Sequence, residues 1–298
     1  MKTNMIGILW FLCSLLVCNL SEIIVKHLTA DVGFMQITAC RFFFCVITLL
    51  PILLFKGKAI LKTKRLPLHV MRALLLVGAS ALWYLGLKKV PLASATVISF
   101  SVPLFMLVFS SFLLKEQLSF YRIMMTVLGF VGVVIVVANH WLALTQGRPE
   151  LMVIAAMFYA LSNILNKKYA GEESILAMIF YPALIGCVIS GSFTIPYWRT
   201  ISLDQIGLCM ILGLCANLIL FCVIAAYKKS EATYLGPLHY LELIPSVTFG
   251  FFIFQEIPSL LVMSGAIVII LSSLLVIFEK TLIALFRNFS AKPALTSI

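Results

Sequence analysis

Apolar runs of about twenty residues follow one another from Met5 to Phe278, parted only by short polar turns. The hydrocarbon of a bilayer offers no partner for backbone amides and carbonyls, so such runs must close their hydrogen bonds within helices. Charged residues make up 11% of the chain, against about 25% in soluble domains, and mean hydropathy is +1.12. The fold class is therefore an all-α membrane protein, with no room for a separate soluble domain. The first run ends in Glu22 and Lys26 and lacks a small-residue cleavage site, so it is expected to stay in the mature protein.

The spacing predicts ten transmembrane helices, over residues 5–27, 34–55, 68–87, 91–114, 120–139, 150–168, 174–196, 203–227, 231–255 and 258–279. With the N-terminus inside, the cytoplasmic segments hold Lys56, Lys58, Lys62, Lys64, Arg65, Arg72, Lys115, Arg122, Lys167, Lys168, Lys228, Lys229 and Lys280. The outer ones hold Lys26, Lys88, Lys89, Arg148 and Arg199. The positive-inside rule then places both termini in the cytoplasm, with 281–298 as a cytoplasmic tail. A net charge of +11 spread over such loops is no sign of nucleic-acid binding.

The halves echo each other at an offset of 140 residues: Lys88-Lys89 recurs as Lys228-Lys229, and Leu-Lys-Glu at 114–116 as Phe-Gln-Glu at 254–256. Five spans per half give an inverted repeat, 1–140 and 141–280, of the kind secondary transporters use. Proline falls in both corresponding helices, at Pro103 in the fourth and at Pro237 and Pro245 in the ninth. Matching interrupted helices point to a binding site, because a broken helix exposes backbone that lines a cavity. Beside the second interruption stands Glu242, at a depth where a charge costs roughly 2.5–3.5 kcal/mol to insert.

This ten-span duplicated plan resembles the EamA family of the drug/metabolite transporter superfamily, whose pattern the glutamates closing the fourth and ninth spans fit. More narrowly, Arg41-Phe-Phe-Phe44, Ala95-Thr-Val-Ile-Ser-Phe-Ser-Val-Pro-Leu-Phe105, Asn166-Lys-Lys168 and Tyr240-Leu-Glu-Leu243 resemble the S-adenosylmethionine uptake transporters of obligate intracellular bacteria such as rickettsiae. The likeness runs from about residue 7 to 280. It departs at His239, where the rickettsial type carries arginine before Tyr-Leu-Glu. The resemblance implies import of S-adenosylmethionine across a bacterial inner membrane in exchange for S-adenosylhomocysteine, by a monomer or homodimer without a cofactor. Exchange against that net-neutral product would move one positive charge inward, worth roughly 2.3 kcal/mol per 100 mV. The rival on the same fold is an exporter of amino acids or related metabolites. An intramembrane enzyme is disfavoured, since neither HExxH nor GxSxG nor a phosphate-binding GxxxxGK[ST] occurs.

Seven residues are candidates for substrate binding. Glu242 would hold a cationic group, unless it stays protonated or tied to His239 three residues before it. Glu22 and Arg41, at similar depth in the outer parts of the first two spans, either pair with each other or take an ammonium and a carboxylate; a guanidinium grips a carboxylate with two parallel hydrogen bonds. Phe100 and Tyr240, on the two proline-bearing helices, are the first aromatics to stack an adenine or face a sulfonium, with Trp10, Phe43, Trp83, Tyr84 and Tyr181 behind them. Asn217, Asn163 and Asn166 are intramembrane amides for which helix-to-helix bonding competes with ligand contact. Eight cysteines in apolar spans and four scattered histidines carry no metal-ligand spacing. Gly129, Gly132 and Gly265 read as close helix packing, and Lys167-Lys168 as lipid-facing anchors.

Overall fold

A computed structural model describes residues 2–57, 61–88, 95, 98–116, 119–137, 149–254 and 260–277, and these are helical with no strand among them. Ten main helices follow in order: α1 (Lys2–Leu28), α2 (Phe34–Lys56), α3 (Leu66–Leu87), α4 (Val102–Phe109), α5 (Phe120–Val137), α6 (Pro149–Tyr169), α7 (Ile175–Thr194), α8 (Leu203–Lys229), α9 (Leu243–Phe254) and α10 (Leu260–Ile277). Among the described residues, five apolar helical stretches are long enough to cross a membrane: Met5–Leu28, Phe34–Phe55, Leu66–Leu87, Ile175–Tyr197 and Leu203–Lys229.

Local chemistry fixes several ends. Ser202 caps α8 by accepting from the Gln205 amide, while the Gln205 side chain accepts from the Ser202 amide, so two otherwise idle donors are filled. Ser174 caps α7 in the simpler way, at 3.0 Å from the Ala177 amide. Lysines close two C-termini: Lys26 donates to the Leu87 carbonyl at 2.6 Å, and Lys167 to the Tyr227 and Ser230 carbonyls at 2.9 and 2.6 Å. Cations at helix C-termini meet carbonyls that lack intrahelical donors. Lys167 is thus a cap on α8 and not the lipid anchor expected from its place in the sequence.

The strongest packing pairs are α1 with α8, α3 with α6, α2 with α7 and α5 with α10. This pattern is unchanged when each helix is exchanged for the one five places along: α1–α8 becomes α6–α3, while α2–α7 and α5–α10 map onto themselves. The two halves therefore interlock, and the centre of the bundle lies between them.

Polar groups join these seams. Arg72, counted by sequence position with the cytoplasmic loop charges, is fully buried in α3 (0% exposed). It donates to the Asn166 side chain and, at 2.8 Å, to the Met178 carbonyl. His69, also buried, stacks on Tyr181 with ring centres 5.0 Å apart, and its Nε2 lies 3.8 Å from Glu173. Asn217 donates from α8 to the Cys45 carbonyl at 2.9 Å and to Thr48 Oγ1 at 2.8 Å on α2.

The proline-bearing segments are interrupted in different ways. The fourth segment is broken just before Pro103: Ile98 and Ser99 are helical, Phe100 and Ser101 form a turn, and α4 restarts at Val102 with Pro103 in its first turn, where a missing amide costs no helical bond. The α4 helix runs into a π turn, Ser110–Leu114, and stops at Lys115 in the left-handed conformation (φ 53°). The ninth segment is interrupted as expected: a turn at Ala232–Leu235, a 3-10 stretch at Gly236–Glu242, then α9. Seven residues of 3-10 helix exceed the usual three or four, which marks this as a specialised piece of backbone. The Glu116 carboxylate accepts from the Ala232 amide at 3.2 Å and so ties the first half to the start of that segment. Glu256, its counterpart in the sequence, lies outside the described residues.

Gly213 is where α8 meets α2 most closely: a Cβ there would stand 2.6 Å from Phe44 Cβ and 2.7 Å from the Phe44 carbonyl carbon. Backbone cannot step aside as a side chain can. We expect Gly213→Ala to destabilise the bundle by roughly 1–3 kcal/mol, read as a lower melting temperature in detergent. Gly207→Ala, with open space around it, should leave melting near wild type.

Candidate functional site

A cavity opens among α1, α3, α6, α8 and the interrupted segment before α9. Along α1 the lining residues Phe11, Ser14, Leu15, Cys18, Glu22 and Val25 recur every three or four positions, so one face of that helix forms a wall. Tyr159 and Asn163, one turn apart on α6, do the same opposite.

The 3-10 stretch decides which of its side chains enter. Three residues per turn bring positions i and i+3 into line, so His239 and Glu242 point the same way and both line the cavity. His239 Nε2 is 3.4 Å from the Glu242 carboxylate. Tyr240, out of that line and 0% exposed, turns away: its hydroxyl donates to the Thr126 carbonyl at 3.1 Å. Its ring fills the space that Gly129 leaves on α5, where a Cβ would stand 2.4 Å from the ring, and packs edge-on against Phe100 at 5.5 Å. Asn19 donates to the Glu242 carbonyl at 3.5 Å, fixing the backbone at the end of the stretch to α1.

Two charged poles result. On one side Cys18 Sγ and the Glu22 and Glu242 carboxylates lie within 4.8 Å of one another, the two acids 9% and 1% exposed. Trp83 lines the same cavity as Glu22 and presents an aromatic surface to it. On the other side Arg41, from α2, donates Nη1 to the Ser80 hydroxyl, and Tyr84 and Tyr159 line the cavity with it. Arg41 makes no ion pair within 4.0 Å among the described residues, and its Nε is buried without an acceptor. The Arg41 guanidinium and the two acids thus share one cavity without forming an ion pair among the described residues.

Of the seven residues expected from the sequence, Glu242, Glu22, Arg41 and His239 come together here. Phe100 and Tyr240 pack behind the cavity wall and Asn217 sits in the α2–α8 seam. The pairing of Glu22 with Arg41 does not form: Arg41 turns to the Ser80 hydroxyl. Cys18, Ser80 and Tyr159 were not singled out as site residues. Cys18 stands one helical turn before Glu22, and Tyr159 one turn before Asn163, so a helical projection of polar residues marks both. Ser80 carries no such signal.

Tyr240→Phe removes one buried hydrogen bond and is expected to cost about 1 kcal/mol of stability. It should lower the melting temperature while leaving ligand affinity close to wild type, since the ring stays where it is. A loss of affinity without loss of stability would place Tyr240 in the site.

A model of the EamA-like transporter family matches the chain twice, over residues 5–138 and 150–278. The S-adenosylmethionine uptake transporter of Rickettsia bellii is 38% identical over 94% of this chain and 96% of its own length. That of Rickettsia prowazekii is 36% identical over 94% and 95%. The riboflavin transporter of Vibrio cholerae is 25% identical over 89% and 91%. A solved crystal structure matches with a TM-score of 0.72 over 92% of this chain and 94% of that one, at 18% identity, a likeness of fold alone.

Proposed function

The chain belongs to the EamA-like transporter family, and on that premise we propose that it imports S-adenosylmethionine in exchange for S-adenosylhomocysteine by alternating access. It is a multi-pass membrane transporter and not an enzyme. The proposal includes ten spans with both termini inside and a pseudo-twofold between 1–140 and 141–280, in keeping with the five-place exchange that the helix contacts obey.

One observation carries the substrate reading: the cavity sets a neighbouring pair of acids, Glu22 and Glu242, apart from the Arg41 guanidinium. S-adenosylmethionine presents the complement, a sulfonium and an ammonium against one carboxylate. The Trp83 face beside Glu22 suits the sulfonium by cation–π attraction, and opposite charges a few ångströms apart in a low dielectric attract far more than in water. A plain amino acid would leave one acid of the pair unmatched, which is why export of amino acids is the weaker reading. The relatives named for S-adenosylmethionine uptake agree with the charge count.

Uptake of labelled S-adenosylmethionine into proteoliposomes tests this, with the lumen empty or loaded with S-adenosylhomocysteine. The expected result is uptake stimulated by the internal product, with Glu242→Gln weakening apparent affinity roughly ten- to a hundredfold, the worth of one charged hydrogen bond. Competition by methionine should be weak. No uptake by folded wild-type protein under either condition would remove the substrate while leaving the family intact.

A further inference from the structure

Arg41 is surrounded by hydroxyls where a buried guanidinium would ordinarily find a carboxylate. Ser80, one full turn of α3 before Tyr84, is completely buried and accepts from Arg41 Nη1. Its oxygen lies 3.3 Å from the Tyr159 hydroxyl, which α6 brings from the other half of the chain. Tyr84 and Tyr159 line the same cavity as the guanidinium. Hydroxyls of this kind solvate a cation without cancelling its charge. A carboxylate in the same place would cancel it, and two carboxylates, Glu22 and Glu242, line the same cavity. The unfilled Nε shows that the donor set is not exhausted by the protein.

We propose that Ser80 and Tyr159 form a hydroxyl cradle that holds Arg41 apart from Glu22 and Glu242, keeping its charge available to read the carboxylate of the substrate. Ser80 does not line the cavity and acts through Arg41, so it is a positioning residue; Tyr159 both lines the cavity and supports Ser80. The cradle sets selectivity for a substrate that carries a carboxylate besides its cations. It also spans the two halves, since α3 belongs to the first half and α6 to the second and the two pack together, so the aim of Arg41 depends on that packing. The inference rests on the transport reading above.

The test compares S-adenosylmethionine with its decarboxylated analogue, which keeps the sulfonium, the ammonium and the adenosine and lacks only the carboxylate. Competitive uptake into proteoliposomes gives the ratio of apparent affinities for wild type, Ser80→Ala, Ser80→Thr and Tyr159→Phe. Wild type is expected to prefer the carboxylate-bearing compound about tenfold or more. Ser80→Ala and Tyr159→Phe should bring the ratio toward one, and Ser80→Thr, which restores the hydroxyl, should restore the preference. Equal weakening of both compounds in Ser80→Ala would mean a structural role only and overturn the cradle, as would a ratio unchanged in both hydroxyl-removing variants. Wild type that carries both compounds without preference overturns the cradle and leaves the transport reading standing. Wild type that carries neither overturns both.

Discussion

The structure depends on keeping opposite charges buried and apart. A guanidinium and two carboxylates in one apolar cavity would lower their energy most simply by pairing, and a paired cavity would have no charge left for a ligand. Here Arg41 donates to Ser80, whose oxygen also lies 3.3 Å from the Tyr159 hydroxyl, while Glu22 and Glu242 lie together beside Cys18 and His239. Each charge is partly satisfied and none is cancelled. Such preorganisation costs stability that the rest of the bundle has to supply.

The supply comes from seams between the halves. Arg72 and Asn166 lock α3 to α6, Asn217 locks α8 to α2, and Lys26 and Lys167 close helix ends with charged side chains. Close approach at Gly213 and Gly129 lets backbone and aromatic rings fill space that a larger residue would occupy. The two halves meet through these contacts at the cavity walls, so packing and site are coupled. An interrupted segment that carries Glu242, tied at its start to Glu116 and at its end to Asn19, is suited to shift while keeping its partners.

The helical bundle and its division into halves were legible because hydropathy and length decide whether a segment can enter a bilayer. Glu242, Glu22 and Arg41 were legible because a charge in an apolar span needs a reason. The direction of neighbouring side chains was not. Tyr240 stands two residues before Glu242, and the sequence does not say which of the two faces the cavity and which packs against Gly129. Arg72 looked like a loop charge because it follows a basic loop closely, yet the turn of α3 carries it inward. The Ser80 contact joins residues 39 positions apart on different helices, and that of Ser80 with Tyr159 joins residues 79 apart. A serine in an apolar span gives no sign of such a partner.

The most direct test of held-apart charges is a structure of the protein with S-adenosylmethionine bound. The account predicts the carboxylate against Arg41, the sulfonium and ammonium toward Glu22, Glu242 and Trp83, and Arg41 still bonded to Ser80. A ligand seated against Phe100 and Tyr240, or a cavity in which Arg41 has closed onto Glu22 or Glu242, would contradict it.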